Sequence, residues 1–322
     1  MRTESLTWRP LTRGDAQASA DLLNAMDAVD GIGELYTAED TLQELIDPGA
    51  DLERASLAVF AGDVMVGFMK IRYKRFAEET HRVLLDGGVH PDHRRRGLGT
   101  TLVEAGVAAA KTLHDLHHPT LKLAIDVYRA EGIAGLAELL RGRGFTPARY
   151  FQRMERSLAA VPAAPTIPDG LRLEPWSAGT DEDFLAARNE AFRDVWGAPA
   201  LPLDFWRNKF TNHTLRPEAS FLVRDTATGT PAGMLVTNHW PADAEVTGVR
   251  DAHVMALGTV PACRGRGVAT ALIAHALRAA AEHGFERMSL NVDSAGPAGT
   301  SGIFARAGFT PKTRYVRWAL EA

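Results

Sequence analysis

The chain has 322 residues, 45% of them hydrophobic, which is enough for one large core or two ordinary ones, and the length favours two. A net charge of −4 excludes the basic footprint of a nucleic-acid binder, and the single cysteine, Cys263, excludes an internal disulfide framework. The opening residues Met1–Leu6 are too polar for a signal peptide, and no apolar run approaches the ~20 residues a spanning helix needs, so a soluble, cytoplasmic protein without membrane partners is expected.

The informative elements begin at the strand Val83-Leu84-Leu85, with Asp86 the one acid in it. The segment HPDHRRRGLGTTL follows at 90–102, then a helical pattern with Leu102, Gly106, Ala109 and Leu113 on one face, ending before Pro119. His114, His117 and His118 near that end read as histidines favoured by the helix dipole rather than as a metal site. An apolar strand runs from Leu121 to Val127, and a short helix leads into Gly144-Phe145-Thr146-Pro147 and Arg149-Tyr150. Residues 157–170, SLAAVPAAPTIPDG, have linker composition.

The second half repeats this order. After an aromatic-rich stretch with Phe192, Trp196, Phe205, Trp206 and Phe210 comes a loop with Asp243 and Glu245, then a strand running through Asp251 and His253 to Val254–Leu257. Residues 260–272 read VPACRGRGVATAL and align with 90–102 at a separation of 170 residues, identical at six of thirteen positions. Leu272, Ala276 and Ala280 mark a helix that should stop at Gly284. Met288–Val292, Gly308–Pro311 and Arg314-Tyr315 then match their counterparts in the first half. Two domains are expected, 1–160 and 171–322, joined by 161–170.

The repeated element is strand, Arg-x-x-Gly-x-small, helix. The first amides of a helix lack internal acceptors and its dipole is positive there, so a pyrophosphate can sit on them. Gly97 and Gly99, or Gly267 and Ala269, permit close approach of the backbone, and Arg94 and Arg96, or Arg264 and Arg266, add charge. The P-loop alternative needs Gly-Lys-Ser/Thr, and the dinucleotide fingerprint needs an acid about 20 residues on. Neither is present. A Gly-rich turn with solvated arginines gives no reason for the pattern to recur in the same context.

The repeated segment resembles motif A of the GNAT (GCN5-related) N-acetyltransferases, and the resemblance covers nearly the whole chain, twice. The second half is similar to the tandem two-domain, mycothiol-synthase-like group: Val292-Asp293-Ser294-Ala295-Gly296-Pro297-Ala298-Gly299 resembles their Val-Asp-x-x-Asn-Pro-x-Gly. The resemblance implies an α/β fold with mixed sheets, two tandem domains, each a mostly antiparallel twisted sheet flanked by helices. It implies acetyl-CoA as donor, a small-molecule amine as acceptor, direct attack on the thioester, no metal, and a monomer or homodimer. The cradles would be Val89, Arg94, Arg95, Arg96, Gly97, Leu98, Gly99 and Thr100 in the first copy. In the second they would be Thr259, Val260, Arg264, Gly265, Arg266, Gly267, Val268, Ala269 and Thr270.

Some positions depart from the family. Leu140 and Phe304 stand where it often has a proton-donating Tyr, and Gly296 replaces its Asn. Tyr128 and Tyr315 are substitutes by rough location. Candidate bases are His253 first, then Asp251, Glu245 and, in the first copy, Asp86, with pairing to an Arg as the competing role for that acid. Trp196, Phe205 and Trp206 are candidate acceptor walls. Mycothiol synthases are expected to carry His-Pro-Glu-Gln-Gly near there, whereas this chain has Val195-Trp196-Gly197-Ala198-Pro199. The second copy matches the family better and is taken as catalytic, the first as degenerate. A non-catalytic CoA-binding or regulatory protein stays open as the alternative.

Overall fold

The computed structural model describes residues 5–47, 50–73, 77, 79–163, 167–295 and 300–322. The centre of the 161–170 segment and the motif residues Gly296 to Gly299 lie outside them. The first half runs β1 (Leu6–Arg9), α1 (Ala16–Asp30), α2 (Ala38–Leu45), α3 (Leu52–Ala55), β2 (Ser56–Ala61), β3 (Val64–Tyr73), β4 (Thr80–Val89), α4 (Leu98–His117), β5 (Lys122–Ala130), α5 (Leu136–Arg141) and β6 (Thr146–Ser157). The second runs β7 (Leu171–Pro175), α6 (Asp181–Ala191), α7 (Leu203–Phe210), β8 (Phe221–Asp225), β9 (Pro231–Asn238), α8 (Pro241–Thr247), β10 (Asp251–Thr259), α9 (Val268–Glu282), β11 (Arg287–Asp293), α10 (Thr300–Arg306) and β12 (Thr310–Glu321).

Two compact units result: residues 1–150 with 314–322, and residues 151–313. The division expected from sequence, 1–160 and 171–322, therefore differs by an exchange of strands. The first unit orders its sheet β1-β2-β3-β4-β5-β12, and the second β7-β8-β9-β10-β11-β6. β12 pairs β5 from Tyr315↔Ala130 to Glu321↔Ala124, and β6 pairs β11 from Ser157↔Arg287 to Phe151↔Asp293. Each unit is thus closed by the last strand of the other half of the sequence. Both sheets are mixed and mostly antiparallel, with one parallel pair each, β4/β5 and β10/β11.

A parallel pair needs a crossover, and α4 and α9 supply it. α4 buries Leu98, Leu102, Gly106, Ala110 and Leu113, so the apolar stripe passes through Ala110 rather than the expected Ala109. A Cβ on Gly106 would come within 2.4 Å of Leu85 Cδ1, so glycine lets α4 lie close against β4. α9 buries Leu272, Ala276 and Ala280, and Gly284 follows its end in the left-handed conformation. Burying each Leu of these stripes stabilises its unit by roughly 2 kcal/mol. Among the described residues no helix is long and apolar enough to cross a membrane.

Residues 1–160 expressed alone should leave β5 with an unpaired edge carrying Ile125 and Val127. The fragment is expected to aggregate or to lack cooperative unfolding by circular dichroism, and a peptide of residues 312–322 added in trans should restore the transition.

Candidate functional site

Each parallel pair opens into a fork. β4 and β5 pair from Thr80↔Lys122 to Leu84↔Asp126, and β4 then runs on to Val89 without β5, still paired with β3. β10 and β11 pair from Asp251↔Arg287 to Val254↔Leu290, and β10 runs on to Thr259. Beyond the tip of each of these strands the chain turns through a left-handed glycine, Gly97 (φ 89°) or Gly267 (φ 81°), directly into a helix. The first intrahelical bonds run from Thr101 N to Gly97 O, 3.1 Å, and from Ala271 N to Gly267 O, 3.0 Å. The amides of Leu98, Gly99 and Thr100, and of Val268, Ala269 and Thr270, are the donors left at the two helix starts. Leu98, Val260 and Val268 bury their side chains, so they offer only backbone to a ligand.

The cradles differ in detail. Arg95 holds φ 64° where the second copy has Gly265 at 76°. A left-handed non-glycine costs roughly 1–2 kcal/mol, which Gly265 avoids. Arg94 is held by Asp30 in a two-pronged ion pair, 2.7 and 2.8 Å, whereas among the described residues Arg264 donates to the Ala191 carbonyl, 3.3 Å, and to no carboxylate. Arg266 pairs with Asp225 at 3.1 Å and has Cys263 Sγ 3.6 Å away; Cys263 itself is buried. Thr259 Oγ1, at the end of β10, is buried and has no hydrogen-bond partner among the described residues.

A cavity of about 500 Å³ runs along the first fork, past Val89, Arg94, Arg95, Gly97, Gly99 and Thr100, to Asp86 and Arg129. It lies in the copy that the sequence marked as degenerate. Its inner end is a buried charge cluster: Arg129 bridges the fork to Asp86 and to the Gly87 carbonyl, 2.9 Å, while Lys70 pairs with Glu44 and lies 3.9 Å from Asp86. Burial would raise the Asp86 pKa, but Arg129, Lys70 and Arg72 outweigh it and hold the carboxylate far below its usual range. Asp86 is an anchor for Arg129 and a poor proton acceptor.

In the second unit the fork begins beside a polar relay. His253 Nδ1 lies 2.8 Å from Ser289 Oγ, which donates to Asp251 Oδ2 at 2.6 Å. Arg153, from β6, donates to the same Asp251 oxygen at 2.8 Å, and Arg287 lies 3.4 Å from the other. Ser289 has one hydroxyl proton and gives it to Asp251, so it accepts from His253 Nδ1–H and leaves Nε2 with the lone pair. Burial, with Arg153 nearby, pushes the His253 pKa down to about 4. Glu245 is exposed on α8, outside this relay.

The expected acceptor wall is corrected at Trp206. It is fully buried, stacks on Phe210 at 4.7 Å and donates its indole N–H to Asp181 at 2.6 Å, so it belongs to the core. Trp196 and Phe205 are half-buried. Leu140 and Phe304 are buried too and bring no hydroxyl. Tyr315 lies in the first unit, stacked on Tyr128 and donating to Glu34 at 2.6 Å. Sequence reading missed Lys70, Arg129, Arg153 and Ser289. The available signal was the pair Lys70 and Arg72, two charges in the otherwise apolar run VMVGFMKIRY.

The histidines gather around fully buried His81, whose Nδ1 is 3.2 Å from His114 Nδ1 and whose ring is 4.5 Å from that of His118. Among the described residues no group of three or more His, Cys, Asp or Glu is arranged to hold a metal ion. Burial and the neighbouring imidazoles push the His81 pKa down to about 4.

The model of the acetyltransferase (GNAT) family matches residues 27–132 and 182–309, one match in each half. The chain belongs to the GNAT acetyltransferase family. It is therefore an N-acetyltransferase built from two GNAT domains. It is 30% identical over 315 residues to a mycothiol acetyltransferase of Thermobispora bispora, covering 96% of this chain and 95% of that one. A mycothiol acetyltransferase of a Parafrankia species is 28% identical, with 95% of both chains covered. Among solved structures, a GCN5-related N-acetyltransferase from Sphaerobacter thermophilus superposes with a TM-score of 0.74 at 24% identity, over 98% of this chain and 95% of that one. A tandem GNAT protein from the clavulanic acid biosynthesis pathway gives 0.70 at 17%, over 98% of each. These two likenesses concern the fold.

Two predictions follow from the local geometry. Arg95→Gly should raise the unfolding midpoint, by ~1 kcal/mol of relieved strain, while weakening acetyl-CoA binding severalfold in calorimetry. The unfolded chain takes up a proton at His81 near pH 6.5 that the folded chain refuses until about pH 4. Stability is therefore full above 6.5 and falls as pH drops through that window, by ~3 kcal/mol for this group. His81→Phe should flatten the pH dependence of the urea midpoint there.

Proposed function

We propose that acetyl-CoA is the donor, a small-molecule amine the acceptor, and the second unit the place where the acetyl group is transferred. The observation that carries this reading is the doubled arrangement of fork, left-handed glycine and helix start. The residues fit the donor. Helix amides at Val268, Ala269 and Thr270 with Arg264 would take its pyrophosphate, and the partnerless Thr259 Oγ1 and the lone edge of β10 would take its amide-bearing arm. The donor brings a thioester, whose carbonyl an amine attacks as the C–S bond breaks.

His253 is the base this reading assigns. Its Nε2 lone pair, fixed by the Ser289–Asp251 relay, receives the proton that the attacking amine loses. Asp251 and Arg153 hold the ring's tautomer. Because the imidazole stays neutral down to about pH 4, its Nε2 lone pair is free at every physiological pH, with a weaker pull on the proton than an ordinary histidine has. The first cradle, with Arg94 already neutralised by Asp30, binds a second donor molecule along the 500 Å³ cavity.

A mycothiol-type acceptor is the second reading. The full-length 30% match to mycothiol acetyltransferases favours it, and the Val195–Pro199 segment departs from what that group is expected to carry.

Calorimetry with acetyl-CoA should give two sites per chain, and Gly97→Glu and Gly267→Glu should each remove one. Thiol release with a panel of amines should disappear with Gly267→Glu and persist with Gly97→Glu; the reverse pattern would move catalysis to the first unit. His253→Gln should lower kcat by ~10²–10⁴. The wild-type kcat/KM profile should show no protonation limb between pH 5 and 7; a limb near 6.5 abolished by His253→Gln would contradict the buried, neutral imidazole. The acceptor of the mycothiol acetyltransferases belongs in the panel, and failure to turn it over sinks the second reading alone.

A further inference from the structure

α6 carries a charge that the fold does not require. Arg188 is 6% exposed on the face of α6 that packs on β9 and β10. Its Nη1 donates to Asn189 Oδ1 at 3.0 Å and to the Pro199 carbonyl at 2.5 Å. Among the described residues no carboxylate lies within ion-pair distance of it, and burial alone pushes its pKa down to about 10. The guanidinium is 5.1 Å from the Phe192 ring, and Phe192 lies against Gly258 in the lone stretch of β10, where a Cβ would come within 3.0 Å of the ring. The charge therefore sits one residue's width from the wall of the second fork.

The first unit shows what the fold needs at this place. There Met26 of α1 lies over Gly88, as Phe192 lies over Gly258. One helical turn before Met26 is Leu22, 2% exposed; one turn before Phe192 is Arg188. Leucine fills the position in one copy and a cation without a counter-ion fills it in the other. Burying a guanidinium without a counter-ion carries a desolvation penalty, whereas a leucine there contributes apolar burial. Two carbonyl-type acceptors engage only Nη1. The guanidinium's remaining N–H groups form the planar fork that a carboxylate accepts with two parallel bonds.

We propose that Arg188 is the anion subsite for the acceptor, and that the amine acetylated by the second unit carries a carboxylate. The proposal rests on the second unit being the catalytic one. Binding is measured by calorimetry and thermal shift on the full chain, with and without acetyl-CoA, using a panel of L-α-amino acids and their α-amides as probes. At least one acid is expected to bind about tenfold or more tightly than its amide, the ~1.4 kcal/mol or more of a charge-assisted pair. Arg188→Leu should equalise acid and amide while leaving the unfolding midpoint unchanged or raised. Arg188→Lys should keep part of the preference. If the leucine variant fails to fold, Arg188→Gln removes the charge while keeping a donor for the Pro199 carbonyl. Absence of binding by every acid, equal binding of acids and amides, or a preference that survives loss of the charge would each overturn the subsite. Since binding is read without turnover, an intact acid preference in a protein that transfers no acetyl group counts against the catalytic reading and leaves the subsite standing.

Discussion

The two units depend on one constraint, the parallel pair set inside an otherwise antiparallel sheet. Parallel neighbours require a crossover, and the crossover helix must start where the first strand ends. α4 and α9 therefore present their unsatisfied amides at the tips of β4 and β10, just where those strands have parted from β5 and β11. A fork with free strand edges and a positive helix start arise together from that topology. Left-handed glycines make the join short enough to keep the two together.

On this shared frame the copies have diverged in charge. In the first unit three cations near the fork are answered: Arg94 by Asp30, Arg129 by Asp86 and Lys70 by Glu44. In the second, among the described residues, Arg264 and Arg188 meet carbonyls and an amide oxygen but no carboxylate, and the acid Asp251 is committed to orienting a histidine through Ser289. A cluster whose charges cancel internally keeps its shape whether or not a ligand is bound. One with cations left over gains most when an anion arrives. The difference is electrostatic and owes little to the backbone, which repeats from one unit to the other.

Closure of each sheet by the other half's last strand adds a second consequence. Arg153, which steadies Asp251, comes from a strand that the sequence order assigns to the first repeat, and Tyr315, which steadies Glu34, comes from the end of the second. The pieces that orient the polar groups of one unit are thus encoded in the other repeat.

The sequence by itself determined the parts that rest on local chemistry. The doubled Arg-x-x-Gly-x-small turn, the alanine-rich crossover helices and the flanking apolar strands were all legible, because helix starts, glycine turns and apolar periodicity are written over a few neighbouring residues. Tertiary structure decided what distant residues share. It made Asp86 a partner of Arg129, 43 positions away, and put Trp206 into the core through Asp181. It set Ser289 between His253 and Asp251, and exchanged the closing strands. Such pairings depend on sheet register and on which face a side chain takes, and a strand's own sequence states neither when both faces of the sheet are covered.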